Sequence, residues 1–219
     1  MRDRYLRQLK VVHDDLLRMG SRVEHALADA MRALATWDTG LARHVISQDP
    51  EIDEARTAIE EAVLELLATQ QPVLATDLRT LNATIAIAGE LERAGDYAKG
   101  IAKRVERCLH APALLEPPAG LHRMGALAQS MLHTTLDAFV RLDVALARSL
   151  ANEDERVDEL EDQVVAEVMG AARQDPAKLD CAIYLLDVAH TLERLADRTT
   201  NIAERVIFIA TNVVEQLNA

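Results

Sequence analysis

Carboxylates in pairs are the residues of this chain with chemistry to offer. Glu92 and Asp96 stand four positions apart, and Glu193 and Asp197 repeat the pair 101 positions later. Asp49 with Asp53, and Asp154 with Asp158, keep the same spacing and lie 105 positions apart. On a helix four residues advance about 400°, so the two carboxylates of a pair stack one turn apart on one face. Like charges so placed repel by roughly a few tenths of a kcal/mol on an open helix, and a bound cation turns that cost into a gain. Hard oxygen donors of this kind suit Mg²⁺, Ca²⁺, Mn²⁺ or iron.

Other chemistries find less support. A ferritin-type di-iron centre needs Glu-x-x-His on inward faces, and that motif is absent from the sequence. Histidines 13, 25, 44, 110, 122, 133 and 190 show no ligand spacing. His190, three positions before Glu193, is either a further member of the second cluster or an ordinary helix histidine. There is no glycine-rich phosphate loop and no nucleophile elbow. Paired carboxylates can do acid–base work, but nothing in the pattern marks a substrate pocket.

The elements that must position these acids follow from composition and punctuation. Of 219 residues 49% are hydrophobic but only 3% aromatic. An apolar set rich in Ala, Leu, Val and Ile suits close-packed helices better than a sheet. Eight Gly and six Pro are too few for the many turns of an all-β fold. The net charge of −12 argues against nucleic acid, whose phosphates call for clustered Lys and Arg, and favours cations or a basic protein surface. No apolar run reaches membrane-spanning length and no signal peptide opens the chain, so the expectation is a cytoplasmic protein without membrane insertion. Cys108 and Cys181 form neither a disulfide framework nor a zinc spacing, and both thiols are expected reduced.

Six helices can be drawn. The first runs from about Asp3 to Thr36, with apolar residues from Tyr5 to Leu34 at three- and four-residue intervals. The second runs from about Leu41 to Gln70, closed by Gln71-Pro72; Pro50 should kink or restart it, with Asp49 as a possible N-cap. The third spans about Thr76 to Leu109. His110 to Pro118 is the one Pro-rich break and the expected boundary between halves. The fourth is drawn from Ala119 to Leu150, the fifth from an Asn152 cap to Arg173, and the sixth from Asp175-Pro176 to about Gln216. Long helices with short turns predict an all-α protein of two tandem antiparallel three-helix bundles, residues 1–110 and 119–219.

Each acidic pair also sits where an apolar stripe shifts across its helix. Leu78, Leu81 and Ile85 lie within about 40° of Glu92, as Leu179, Ala182 and Leu186 do of Glu193. Beyond the acids the apolar face is nearly opposite: Ala94, Ile101 and Val105 in one half, Leu195, Ile202 and Val206 in the other. The acids therefore mark a bundle surface or cleft edge.

These residues resemble a known family. The run Leu192-Glu-Arg-Leu-Ala-Asp-Arg-Thr-Thr-Asn-Ile-Ala-Glu-Arg-Val-Ile-Phe208 closely resembles the signature of the PhoU family of phosphate-transport accessory proteins. Gln70-Gln-Pro-Val-Leu-Ala-Thr-Asp-Leu-Arg79 and Leu91-Glu-Arg-Ala-Gly-Asp96 resemble its first-half signatures. The resemblance implies two homologous three-helix bundles and multinuclear metal sites on their surfaces, held here by Asp49/Asp53 with Glu92/Asp96 and by Asp154/Asp158 with Glu193/Asp197. It implies divalent or ferric ions, with iron, zinc, manganese and magnesium all open. It implies a non-enzymatic homodimer that acts on the ATPase subunit of a phosphate ABC transporter and on a phosphate sensor histidine kinase, as a brake on both when phosphate is plentiful.

The sequence departs from that pattern in places. Tyr97 and Arg198 stand where the family often has His. Asn201-Ile-Ala-Glu204 is intact in the second half, but the first half reads Gly100-Ile-Ala-Lys103, so the second site is expected to hold metal more tightly. The alternative from a different class is a metal-free helical scaffold whose acidic faces bind a basic partner directly.

Overall fold

The computed structural model describes residues 2–70 and 72–218. Six long helices appear in order: α1 Arg2–Thr36, α2 Thr39–Thr69, α3 Ala75–Leu109, α4 Ala119–Arg141, α5 Val144–Gln174 and α6 Leu179–Thr211, with a 3₁₀ turn at Pro176–Lys178 before α6. No strand occurs among the described residues. Helices α1–α3 form one antiparallel three-helix bundle and α4–α6 the other. Gln71, expected to help close the second helix, lies outside the described residues.

The hinge between the first two helices of each bundle is built the same way twice. Trp37 and Leu142, 105 positions apart, take left-handed backbone with φ 54° and 50°. Each costs about 1 kcal/mol of strain for a residue with a Cβ. The aspartate that follows offsets it. Asp38 Oδ1 accepts from the Leu41 amide and Asp143 Oδ1 from the Leu146 amide, both at 3.0 Å. The Asp38 and Asp143 amides also close back on the Ala33 and Ala138 carbonyls at 3.0 Å.

This second hinge corrects the expected fourth and fifth helices. There is no continuous helix from Ala119 to Leu150, and Asn152 caps nothing, since it lies inside α5. Pro50 does not restart α2, which runs through it from Thr39 to Thr69, and Asp49 is not an N-cap. Pro50 is exposed, while Val45, Asp49 and Ile52 beside it are buried and hold the helix from both sides. At the C-terminus α6 stops at Thr211, short of Gln216, because Asn212 turns left-handed at φ 61°. Asp175 caps the 3₁₀ turn and not α6, which begins at Leu179; its carboxylate accepts from the Ala177 amide at 3.2 Å.

The two bundles share one continuous apolar core. Helices α3 and α6 pack along each other as extensively as any pair within a bundle, and antiparallel. Arg194 stacks over Tyr97 at 5.1 Å and Arg107 over Tyr184 at 5.9 Å, so ten residues up α3 correspond to ten down α6. Helices α1 and α4 meet through paired glycines. A Cβ on Gly20 would lie 2.7 Å from Leu136, and one on Gly125 would lie 2.5 Å from Met31. Gly20 and Gly125 are again 105 positions apart, so the contact is repeated by the pseudo-repeat. A helical glycine costs about 1 kcal/mol relative to Ala, and here it is what allows the close approach.

Candidate functional site

Helices α2 and α3 bring Asp49, Asp53, Glu92 and Asp96 near one another, and α5 and α6 do the same for Asp154, Asp158, Glu193 and Asp197. The opposite faces are core, as the stripes require: Ala94, Ile101, Val105, Leu195, Ile202 and Val206 are fully buried. What surrounds the two sets of carboxylates differs.

In the first half cations from the protein itself enter the set. The Lys99 ammonium donates to Asp49 and, at 3.2 Å, to Asp96. Asp49 is only 5% exposed, so Lys99 is its main compensation. The bond to Asp49, and then that to Asp96, raises the Lys99 pKa above its ordinary value. Arg56 lies 3.4 Å from Glu92 and donates to Glu60 at 2.9 Å. Burial raises the Glu92 pKa, the nearby Arg56 charge opposes that, and Asp96 and Asp53 add to it.

In the second half the same positions give a different environment. Glu161 stands where Arg56 does, 105 positions on, and Thr200 where Lys99 does, 101 positions on. Four carboxylates with two cations become five carboxylates with one, Arg198, which is 3.6 Å from Asp197 and 3.3 Å from Glu90. Partial burial first, then Asp197, Asp158 and Glu193, push the Asp154 carboxyl up to about 7. Asp158 is raised by burial and by Asp197. Glu193 is raised by burial, Asp197 and Glu161, with His190 opposing. Its Oε2 atom is buried without a hydrogen-bond partner.

His190 stands beside this cluster. Its Nδ1 lies 3.5 Å from both Glu161 Oε1 and Glu193 Oε2. Sequence reasoning had no reason to include Glu161; the signal that finds it is the change from Arg56 at the repeat offset. Asn201 and Glu204 do not serve the cluster in the way that the second-half motif suggested. Asn201 donates to Glu90 at 3.3 Å, and Glu204 accepts from the Leu217 amide at 2.9 Å. In the first half Lys103 lines a groove with Asp96 and Lys99. The C-terminal tail folds over the second site, where the Asn218 amide donates to Asp197 at 3.0 Å.

A hard cation fits the second donor set better than the first. The second offers convergent carboxylates whose pKa values are raised by burial and then by mutual repulsion, including an oxygen with no donor. In the first, Lys99 already bridges the two helices where an ion would have to sit. Cys108 and Cys181 are both unpaired by disulfide and buried, bringing the end of α3 against the start of α6. No helix among the described residues is long and apolar enough to cross a membrane.

Fold and site together define a class: a duplicated three-helix bundle with a carboxylate cluster on each half. The family model described as "PhoU domain" matches twice, at residues 16–105 and 121–206. A phosphate-specific transport system accessory protein PhoU homolog of Clostridium acetobutylicum is 36% identical over 96% of this chain and 95% of its own length. The Escherichia coli K12 phosphate-specific transport system accessory protein PhoU is 32% identical over 92% and 83%. Among solved structures, the phosphate transport system regulatory protein PhoU from Streptococcus pneumoniae superposes with a TM-score of 0.88 at 31% identity, covering 97% of this chain and 99% of its own. PhoU from Pseudomonas aeruginosa gives 0.88 at 33%, covering 95% and 100%. This chain belongs to the PhoU family.

Proposed function

We propose that this chain is a metal-dependent regulatory adaptor of phosphate uptake, with no catalytic step of its own. The observation that carries the metal reading is the second-half cluster of Asp154, Asp158, Glu193 and Asp197, which faces more like charge than its single cation offsets. Divalent or ferric ions bound there neutralise that repulsion, so metal occupancy and the geometry of α5 against α6 are linked. The role in phosphate uptake rests on the relatives, which are named as accessory and regulatory proteins of phosphate transport. The reading takes the transporter ATPase subunit and the phosphate sensor kinase as partners, restrained in the cytoplasm when phosphate is plentiful, with the adaptor as a homodimer.

The metal-free scaffold reading is favoured for the first half by one observation, the Lys99 bridge between Asp49 and Asp96. We assign Asp49, Asp53, Glu92 and Asp96 a weaker metal site than the second, or a charge-compensated docking face.

Thermal melting with and without Mn²⁺ or Fe³⁺ tests the proposal. At a hundredfold excess over the dissociation constant the parent should gain about 2.7 kcal/mol. Asp154→Asn with Asp197→Asn should lose most of that gain and should relieve the restraint on phosphate uptake in replete cells. A parent that gains nothing from any of these ions leaves the scaffold reading for the whole chain.

A further inference from the structure

We propose that Glu161, His190 and Glu193 form a separate, nitrogen-bearing site for a transition-metal dication such as Zn²⁺, at the rim of the second acidic cluster. His190 and Glu193 are three residues apart on α6 and therefore share a face. Glu161 reaches them from α5. The three donor atoms all lie within 4.8 Å of one another.

The spacing is the argument. Donors about 2.1 Å from a tetrahedral ion lie roughly 3.4 Å from each other. His190 Nδ1 is 3.5 Å from both Glu161 Oε1 and Glu193 Oε2. A protonated imidazole bridging two carboxylates would close to about 2.7–2.9 Å, the ordinary length of a charge-assisted bond. Instead Glu193 Oε2 is buried and accepts no hydrogen bond. Its second oxygen remains for the all-carboxylate cluster, so Glu193 bridges the two sites.

The first half cannot build this centre. Gly89 stands at the position of His190 and Arg56 at that of Glu161. There the guanidinium lies against Glu92, the counterpart of Glu193, where the second half would place an ion. The donor set also predicts selectivity. An imidazole favours Zn²⁺, Fe²⁺ or Co²⁺, whereas Mg²⁺ and Ca²⁺ prefer oxygen alone. Three protein donors leave one position to solvent, and the His190 side chain, 60% exposed, lies at the surface where an ion can enter.

The inference rests on the metal-binding reading of the second half, and the experiment separates the two. Chelator-stripped full-length protein is titrated with Zn²⁺ by calorimetry in millimolar Mg²⁺, and with Co²⁺ while its visible spectrum and the His190 ring proton resonances are followed. The parent should bind one Zn²⁺ that Mg²⁺ does not displace, and Co²⁺ should broaden the His190 resonances. His190→Gln and Glu161→Gln should each weaken Zn²⁺ by at least about tenfold, because each removes a donor. Both should leave Mn²⁺ binding to Asp154, Asp158 and Asp197 in place. Asp154→Asn with Asp158→Asn should do the reverse. Unchanged Zn²⁺ affinity in both rim variants, or His190 resonances untouched by Co²⁺, overturns this site while leaving the carboxylate cluster standing. Absence of any metal binding in the parent overturns both.

Discussion

The two halves carry the same four carboxylates at the same offsets and use them differently. In the first half Lys99 and Arg56 sit among them, and Asp49 is buried against an ammonium. In the second half Thr200 and Glu161 take those positions, Asp154 is raised to about 7, and His190 stands at the rim. A motif counted by its acids alone scores the halves as equal. What separates them is the sign of the charge that the neighbouring turn supplies. A carboxylate cluster rich in internal counter-ions is a structural ion-pair network, and one with fewer leaves the repulsion that the proposed metal would neutralise.

The sharpest way to break the comparison is to remove the first half's counter-ion. Lys99→Met should destabilise the metal-free protein by about 2 kcal/mol, because the buried Asp49 loses its partner, with the partial exposure of Lys99 keeping the loss below that of a fully buried pair. Chemical denaturation reads this directly. A loss within error would mean that Asp49 is well solvated and that the halves are electrostatically alike.

A smaller effect concerns pH. The Asp154 pKa in the folded protein, about 7, lies above its value in the unfolded chain. Between roughly pH 4 and 7 the folded state therefore holds a proton that the unfolded chain has released. That contribution is complete at low pH and is lost as pH rises through the folded pKa. For a half-buried carboxyl it is on the order of 1 kcal/mol. In chelator, stability should change with pH between about 4 and 7 in the parent with an added downward slope that Asp154→Asn lacks. Asp77, lowered chiefly by its bond to Arg2, works in the opposite sense at more acid pH and is common to both proteins. Parallel stability curves would remove the electrostatic difference at Asp154.

The smallest effect sharpens the comparison. Glu193→Ala with Asp197→Ala should leave the metal-free protein as stable as the parent or a few tenths of a kcal/mol more so, since like-charge repulsion is relieved and Ala is the better helix former. The matched change in the first half, Glu92→Ala with Asp96→Ala, should cost stability instead, because it strips partners from Arg56 and Lys99. Equal outcomes in thermal melts would show the two clusters to be one kind of site.

Much of this was legible in the sequence where the signal is local. Spacing of four within a helix, and repetition at 101 and 105 positions, identified the acids and the duplicated bundles. The gap left between Thr36 and Leu41 placed the first hinge. The second hinge was missed because Leu142-Asp143 has no proline or glycine, and apolar periodicity runs through it from Ala119 to Leu150. The repeat offset from Trp37-Asp38 held that information. Pro50 misled for the opposite reason: a strong local breaker was overridden by packing on both sides of it. The ion pairs that cross between helices were not legible. Lys99 and Asp49 lie on different helices, 50 positions apart, and only the packing of α2 on α3 brings them together.

The repeated contacts of α1 with α4, and of α3 with α6, describe what a dimer of identical bundles would look like if its subunits were tied end to end by residues 110–118. In a true dimer every substitution appears twice. An arginine beside one acidic cluster would appear beside the other, and both clusters would be charge-compensated. Joining the copies in one chain lifts that constraint. Position 56 can stay arginine while position 161 becomes glutamate, so one cluster carries its own counter-ion while its twin keeps more of its charge uncompensated.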